Sequence, residues 1–324
     1  MTEVPPKPVF IVGVGRSGTT LMRAMLNAHP AFAIAPETHF LDNIAPRWRR
    51  RDLSDRDVHA QLIAELAATK KVRRLARDHV DAALATVPPG PHAVREAMAA
   101  VLAAHGRQHG NPRWGEKTPR HFRFIATLFE WFPGAQVVWM VRDPRAVTAS
   151  RLKTRWASPY LHRNARAWNQ AARLAIRWRA DQRVHVVRYE SLAGSPEDVA
   201  RALCAFLGEP YVPEMLSHDE VARLATAQTS FRAAADTGGR AGGAPAISST
   251  PAERWRQAVP AYEVQAIERL CGPAMRRLGY QPIHRRAGLH ARFHILSSKV
   301  RYAPRGVRRL LNAQRVKRRG AGST

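Results

Sequence analysis

Between Pro8 and Leu26 a short apolar run, Val9-Phe10-Ile11-Val12, leads into Gly13-Val14-Gly15-Arg16-Ser17-Gly18-Thr19-Thr20. Leu21-Met22-Arg23-Ala24-Met25-Leu26 follows with helical composition and spacing. Strand, glycine-rich turn and helix in that order aim several backbone N–H groups and a positive helix end at one point, an arrangement that holds an anion. Gly13 and Gly18 keep the spacing of a Walker A loop, but Thr19 stands where that motif has its lysine. Arg16 offers a guanidinium fork instead, which grips an oxyanion through two parallel N–H bonds. The loop suits a phosphate-like ligand and is poorly equipped for Mg-ATP chemistry. The plain alternative, a tight connection with no ligand, makes poor sense of Arg16, Ser17, Thr19 and Thr20 beside three glycines.

Two further stretches reach the same edge of the predicted sheet. Ala31-Phe32-Ala33-Ile34-Ala35 reads as a second short strand that delivers Pro36-Glu37-Thr38-His39 to its carboxyl end, where open α/β folds keep their chemistry. Ala135 to Val141 is the strongest strand pattern in the chain, and it ends in Arg142-Asp143-Pro144. Asp143 suits a helix N-cap and Pro144 the first helical position. Ser150 then lies about two turns into that helix, where it could share an anion with Arg142. Taken singly, Arg-Asp-Pro is a common turn and Ser150 an ordinary helical residue.

The elements that must position these residues alternate between strand and helix, so the fold class is α/β with a mainly parallel, P-loop-like sheet flanked by helices. Residues 44–113 read as a charged helical insert, broken at Pro88-Pro89-Gly90-Pro91, and a candidate substrate lid. Trp114-Gly115-Glu116-Lys117-Thr118-Pro119 follows it without a strand pattern, then a helix over 120–131. A long helix is expected over 161–180, a strand over 184–189, and helices over 195–207 and 261–278, with a glycine-rich mobile loop over 225–250. Residues 1–284 make one domain, and 285–324 form an extension with twelve Lys or Arg and no acid.

The 324 residues are 45% hydrophobic, enough for a sizeable core, and carry a formal charge of +27. That field favours polyanions, phosphorylated ligands or acidic surfaces without choosing among them. Basic strands interleaved with aromatics are missing, so no specific nucleic-acid partner is expected. Cys204 and Cys271 sit among apolar neighbours and read as buried free thiols. With no apolar signal core and no run of transmembrane length, a cytoplasmic protein is expected. The oligomeric state stays open, a homodimer included.

Together these residues resemble the sulfotransferases that use 3′-phosphoadenosine 5′-phosphosulfate (PAPS). Arg16 to Pro30 followed by Glu37-Thr38 is similar to the tyrosylprotein sulfotransferase branch, and the likeness runs through Lys117-Thr118-Pro119 and Tyr189-Glu190-Ser191-Leu192 to Leu278-Gly279-Tyr280. The resemblance implies that Arg16, Ser17, Gly18, Thr19 and Thr20 hold the 5′-phosphosulfate, that Arg142 and Ser150 hold the 3′-phosphate, and that Tyr189 helps bind the nucleotide. It also implies a catalytic role for Arg16, for Lys117 beside the transferred group, and for Glu37 as the base, with no metal. Many sulfotransferases use a histidine base, so His39 is the second choice. The bland rivals are a capping or salt-bridged Glu37 and a Lys117 paired with Glu116 or Asp143.

The chain departs from that branch where its two cysteines lie and at Thr154, which stands where the branch has an arginine. The acceptor stays open: a peptide tyrosine, a carbohydrate, a lipid or a small metabolite. The rival functions are a P-loop kinase, which needs the missing lysine, and a polyanion- or membrane-surface-binding protein resting on the charge. Two short amphipathic basic helices, divided at Pro304 and Gly306, would let residues 285–324 touch an anionic membrane.

Overall fold

A computed structural model describes residues 7–76, 79–110, 113–217, 255–284 and 286–300. The glycine-rich stretch 225–250 and the tail beyond Val300 lie outside the described residues. β1 (Val9–Gly13), β2 (Phe32–Ala35), β3 (Arg113–Lys117), β4 (Gln136–Val141) and β5 (Val184–Arg188) form one sheet in the order β2-β3-β1-β4-β5. Every pairing in it is parallel. β1 is buried along its whole length, as its unbroken apolar run requires of a parallel strand covered on both faces.

β3 is the element that the sequence pattern did not announce. Its residues, Arg-Trp-Gly-Glu-Lys, carry two cations and an acid where a buried strand normally carries Val or Ile. Gly115 admits it to the sheet: a Cβ there would stand 2.2 Å from Val9 O and 2.6 Å from Ile34 Cδ1.

α1 (Thr19–Asn27) presses Leu21, Met22, Met25 and Leu26 into a core with Val9, Ile11, Phe32, Ile34 and Val138. The insert contains α2 (Ala45–Trp48), α3 (Arg56–Ala68), α4 (Lys70–Ala76), α5 (Val80–Ala85) and α6 (Ala93–Gln108). The segment over 120–131 opens as a 3₁₀ turn, Pro119–Phe124, and becomes helical only in α7 (Ile125–Trp131). After α8 (Pro144–Leu152) and α9 (Leu161–Trp178), Tyr189 opens α10 (Tyr189–Gly194) rather than closing β5, and α11 (Pro196–Leu207) packs Leu203, Cys204 and Leu207 into the same core.

The chain divides into two compact units, residues 1–142 with 174–252 and residues 143–173 with 253–324. The first holds the whole sheet. In the second, Asp143 caps α8 by accepting the Arg145 N–H at 2.8 Å. The Arg145 guanidinium pairs with Asp143 at 2.6 Å and Glu268 at 2.7 Å and lies over the Trp255 ring. Burial opposes its charge, but the Asp143 and Glu268 carboxylates outweigh that and hold the proton more tightly. Cys271, in the helix Ala261–Arg277, is buried in this unit and Cys204 in the other. Burial pushes both thiols up. Residues 289–300 form a helix that buries Ala291, Ile295 and Ser298, and His162 Nδ1 stands 2.7 Å from Ser298 Oγ.

Candidate active site

In a parallel sheet all carboxyl ends share one edge, so the turns after β1, β2, β3 and β4 meet there. The turn after β1 is bent by positive φ at Gly13, Arg16 and Gly18. Glycine adopts such angles freely; for Arg16 the angle is costly and is held by the surroundings. The bend lets Ser17 N–H donate to Val14 O at 3.1 Å and starts α1 with no side chain capping its first turn. Ser17 Oγ is buried and has no hydrogen-bond partner among the described residues. An uncapped helix start beside an orphaned hydroxyl fits the oxygens of a phosphate or sulfate group.

Arg142, at the end of β4, donates from Nη1 to Arg16 O at 3.3 Å and lies 4.1 Å over the Tyr189 ring. That ring edge is so close to Gly18 that a Cβ there would stand 2.5 Å from Tyr189 Cδ2. Arg16, Ser17, Gly18, Arg142 and Tyr189 are thus brought together in the first unit, with Thr19 and Thr20 opening α1. Ser150 belongs to the second unit, half-buried on α8.

Glu37 and Lys117 are 80 residues apart in sequence, and strand register closes the gap. Ala35 pairs with Glu116, so the residues that follow each strand run level. Lys117 Nζ donates to Glu37 Oε1 at 2.9 Å. The lysine is buried and the carboxylate half-buried. Neither sequence rival for Lys117 is its partner in this ion pair. Asp143 pairs with Arg145, and Glu116 accepts the Thr38 hydroxyl at 2.7 Å.

Around this pair Arg23, Asp42 and His121 carried no separate signal in the chain, whereas His39 stands in it as the second candidate base. Arg23, on α1, donates from Nε to Ile34 O, and its Nη1 has no partner among the described residues. Burial brings its pKa down to about 10, with the Glu37 charge opposing the shift. His39 Nε2 lies 3.3 Å from Glu37 Oε2, and its Nδ1 lies 3.3 Å from Asp42. Burial would raise the Asp42 pKa, but hydrogen bonds from His121 and His39 outweigh it and hold the carboxyl well below its usual range. His121 Nδ1 is 3.1 Å from Glu116 Oε1, an ion-pair contact rather than an aligned hydrogen bond. Burial opposes the charge of both partners. Their mutual attraction outweighs it, lowering Glu116 and raising His121.

Residues 8–213 match the model of the family described as "Sulfotransferase family". The protein-tyrosine sulfotransferase of Drosophila melanogaster is 29% identical over 220 residues, which cover 65% of this chain and 40% of that protein. Protein-tyrosine sulfotransferase A of Caenorhabditis elegans is 26% identical over 289 residues, covering 85% and 67%. In three dimensions the chain is similar to the sulfotransferase domain of the Synechococcus PCC 7002 olefin synthase. The TM-score is 0.57 with 23% identity, over 87% of this chain and 98% of that one, a likeness of fold.

Proposed function

Because this chain belongs to the sulfotransferase family, we propose that it is a PAPS-dependent enzyme that moves a sulfuryl group to an acceptor hydroxyl by in-line displacement. The observation that carries this reading is the 2.9 Å Lys117–Glu37 pair, on the same sheet edge as the Arg16 loop. PAPS supplies an activated sulfonate whose bond to the 5′-phosphate breaks as the acceptor oxygen bonds sulfur. The chain's own residues bind, neutralise and take the proton. Arg16 and the N–H groups of Ser17 to Thr20 hold the 5′ group, and the orphaned Ser17 hydroxyl supports that fit. Arg142 and Ser150 hold the 3′-phosphate, with Tyr189 packed under the Arg142 guanidinium. Lys117 offsets negative charge at the reacting centre, and Glu37 accepts the hydroxyl proton.

Arg142→Ala removes a charge-assisted contact worth about 1.5–3 kcal/mol, roughly ten- to a hundredfold in affinity for adenosine 3′,5′-bisphosphate. ATP, which lacks the 3′-phosphate, should lose less, and isothermal titration of both nucleotides measures the difference. Equal losses would return Arg142 to a structural role. Preferential binding of Mg-ATP would favour the kinase reading instead. The acceptor is a peptide tyrosine, a carbohydrate, a lipid or a small hydroxylated metabolite. The peptide tyrosine comes first in a [³⁵S]PAPS screen, because the relatives at 26–29% identity are named for it.

Residues 1–284 then make the transferase and 285–324 an extension that touches anionic membrane. Among the described residues no helix is long and apolar enough to cross a bilayer. The helix 289–300 instead exposes Leu289, Phe293, Leu296 and Val300, a stripe at helical spacing with Arg292 and Lys299 beside it. Buried apolar area and basic charge both favour such a surface. Full-length protein should sediment with vesicles containing anionic phosphatidylglycerol at low salt, and Phe293→Glu with Leu296→Glu should abolish that. Equal sedimentation of the variant and the parent protein would remove the membrane from this reading. Buried free thiols at Cys204 and Cys271 suit a reducing compartment, so the cytoplasm is the proposed location.

A further inference from the structure

A carboxylate that acts as a base needs one oxygen turned to the substrate and the other held still. Glu37 Oε1 meets the Lys117 ammonium at 2.9 Å, and Oε2 faces His39 Nε2 at 3.3 Å. The other nitrogen of that ring lies 3.3 Å from both oxygens of Asp42. An imidazole with a carboxylate on each nitrogen donates to both only when it carries both protons.

Local backbone builds this contact. His39 has φ of 59°, in the left-handed region that non-glycine residues rarely hold. Phe40–Ile44 then forms a π-helical turn, a rare widening of the helix that recurs at functional sites, and it brings Asp42 back to the ring three residues away. Asp42 is itself fixed. Its side chain is 6% exposed, with Arg120 Nε at 3.3 Å and His121 Nε2 at 3.6 Å. Proton transfer from the acceptor to Glu37 requires none of His39, Asp42 or His121, yet the chain places them in a line leading away from the base.

We propose that His39 is the positioning residue of Glu37: as an imidazolium bridging Glu37 and Asp42 it anchors Oε2, so that Oε1, beside the Lys117 ammonium, is the oxygen that takes the proton, and it is kept charged by Asp42. This rests on the reading of Glu37 as the base. Glu37, Asp42 and, from α4, Lys71 act on His39 directly. Arg120, His121 and Arg123 act on Asp42, and Arg23 stands in the field of Glu37. The hydrogen bond to Asp42, then that to Glu37, outweighs burial and Lys71 and raises the His39 pKa. The imidazolium is therefore present below that raised pKa and lost as pH rises through it.

Two measurements on the full-length chain test this. In ¹⁵N-histidine NMR, His39 of the parent protein should titrate above an ordinary imidazole, and in Asp42→Asn it should titrate at lower pH. With PAPS and a tyrosine peptide as probe, the alkaline limb of kcat should move down in pH together with it, the KM for PAPS changing less. His39→Ala should lower kcat by about 10²-fold, the order of loss for a misplaced catalytic group. His39→Gln, which keeps an N–H for Glu37 but does not titrate, should recover much of that loss and lose the alkaline limb. An unshifted His39 titration in Asp42→Asn overturns the proposal, and so does a kcat profile that ignores it. Full turnover in Glu37→Gln removes the base reading instead, while the NMR titration still reports on the His39–Asp42 contact.

Discussion

Glu37→Gln is expected to lower turnover by about 10²–10⁴ while binding of adenosine 3′,5′-bisphosphate survives. The carboxamide keeps the shape of the side chain and can still accept a hydrogen bond from Lys117, but it has no basic oxygen for the acceptor proton. In the proposed reading, nucleotide affinity is expected to depend on the Arg16 loop, Arg142 and Ser150, which the substitution leaves in place. Rapid-quench turnover with [³⁵S]PAPS, set beside isothermal titration of the bisphosphate, separates the two. If His39→Ala abolishes turnover and Glu37→Gln does not, the histidine is the base and the glutamate its partner. The geometry argues for the first order, because both nitrogens of His39 already face carboxylates.

Gly115→Ala is expected to destabilise the chain by about 3 kcal/mol, at the upper end of overpacking costs. An added Cβ would stand 2.2 Å from the carbonyl oxygen of Val9, and that oxygen belongs to the central strand rather than to a flexible side-chain tip. Relief requires β1 and β3 to move apart, which displaces β3, the strand whose pairing with β2 sets Lys117 against Glu37. The guanidinium chloride midpoint should fall, and in the fraction that remains folded the turnover should fall more than bisphosphate affinity. A variant with parental stability would mean that the sheet yields at this point without cost.

The residues named from the pattern divide according to the kind of signal that they carry. Gly13 to Thr20 was legible as a strand-to-helix turn because its signal is local: its glycines, its arginine and the helix that follows are consecutive, and the structure bends the chain at Gly13, Arg16 and Gly18. The β4 strand with its Arg-Asp-Pro exit was legible for the same reason, and Asp143 does cap α8. Tyr189 was named as a nucleotide-binding residue by likeness alone, and the structure sets its ring beside Gly18. Its place under Arg142 comes from the turn of the chain out of β5.

The chain by itself therefore determined an α/β architecture, a glycine-bent loop between the first strand and first helix, and the identity of the polar residues delivered to one sheet edge. Periodicity, glycine placement and capping are properties of neighbouring residues, so they can be read without the fold. Only the tertiary structure decided that Arg-Trp-Gly-Glu-Lys is a strand, because its reason for being one lies in the Val9 carbonyl and the Ile34 side chain that close over Gly115. It alone decided that Lys117 meets Glu37 and that Glu37, His39, Asp42, His121 and Glu116 stand in line. Those contacts depend on the register between parallel strands, on one left-handed residue and on one π-helical turn. None of these leaves a periodic trace in sequence: register is set by which strands lie side by side, and a single left-handed residue or π-helical turn is too short to repeat.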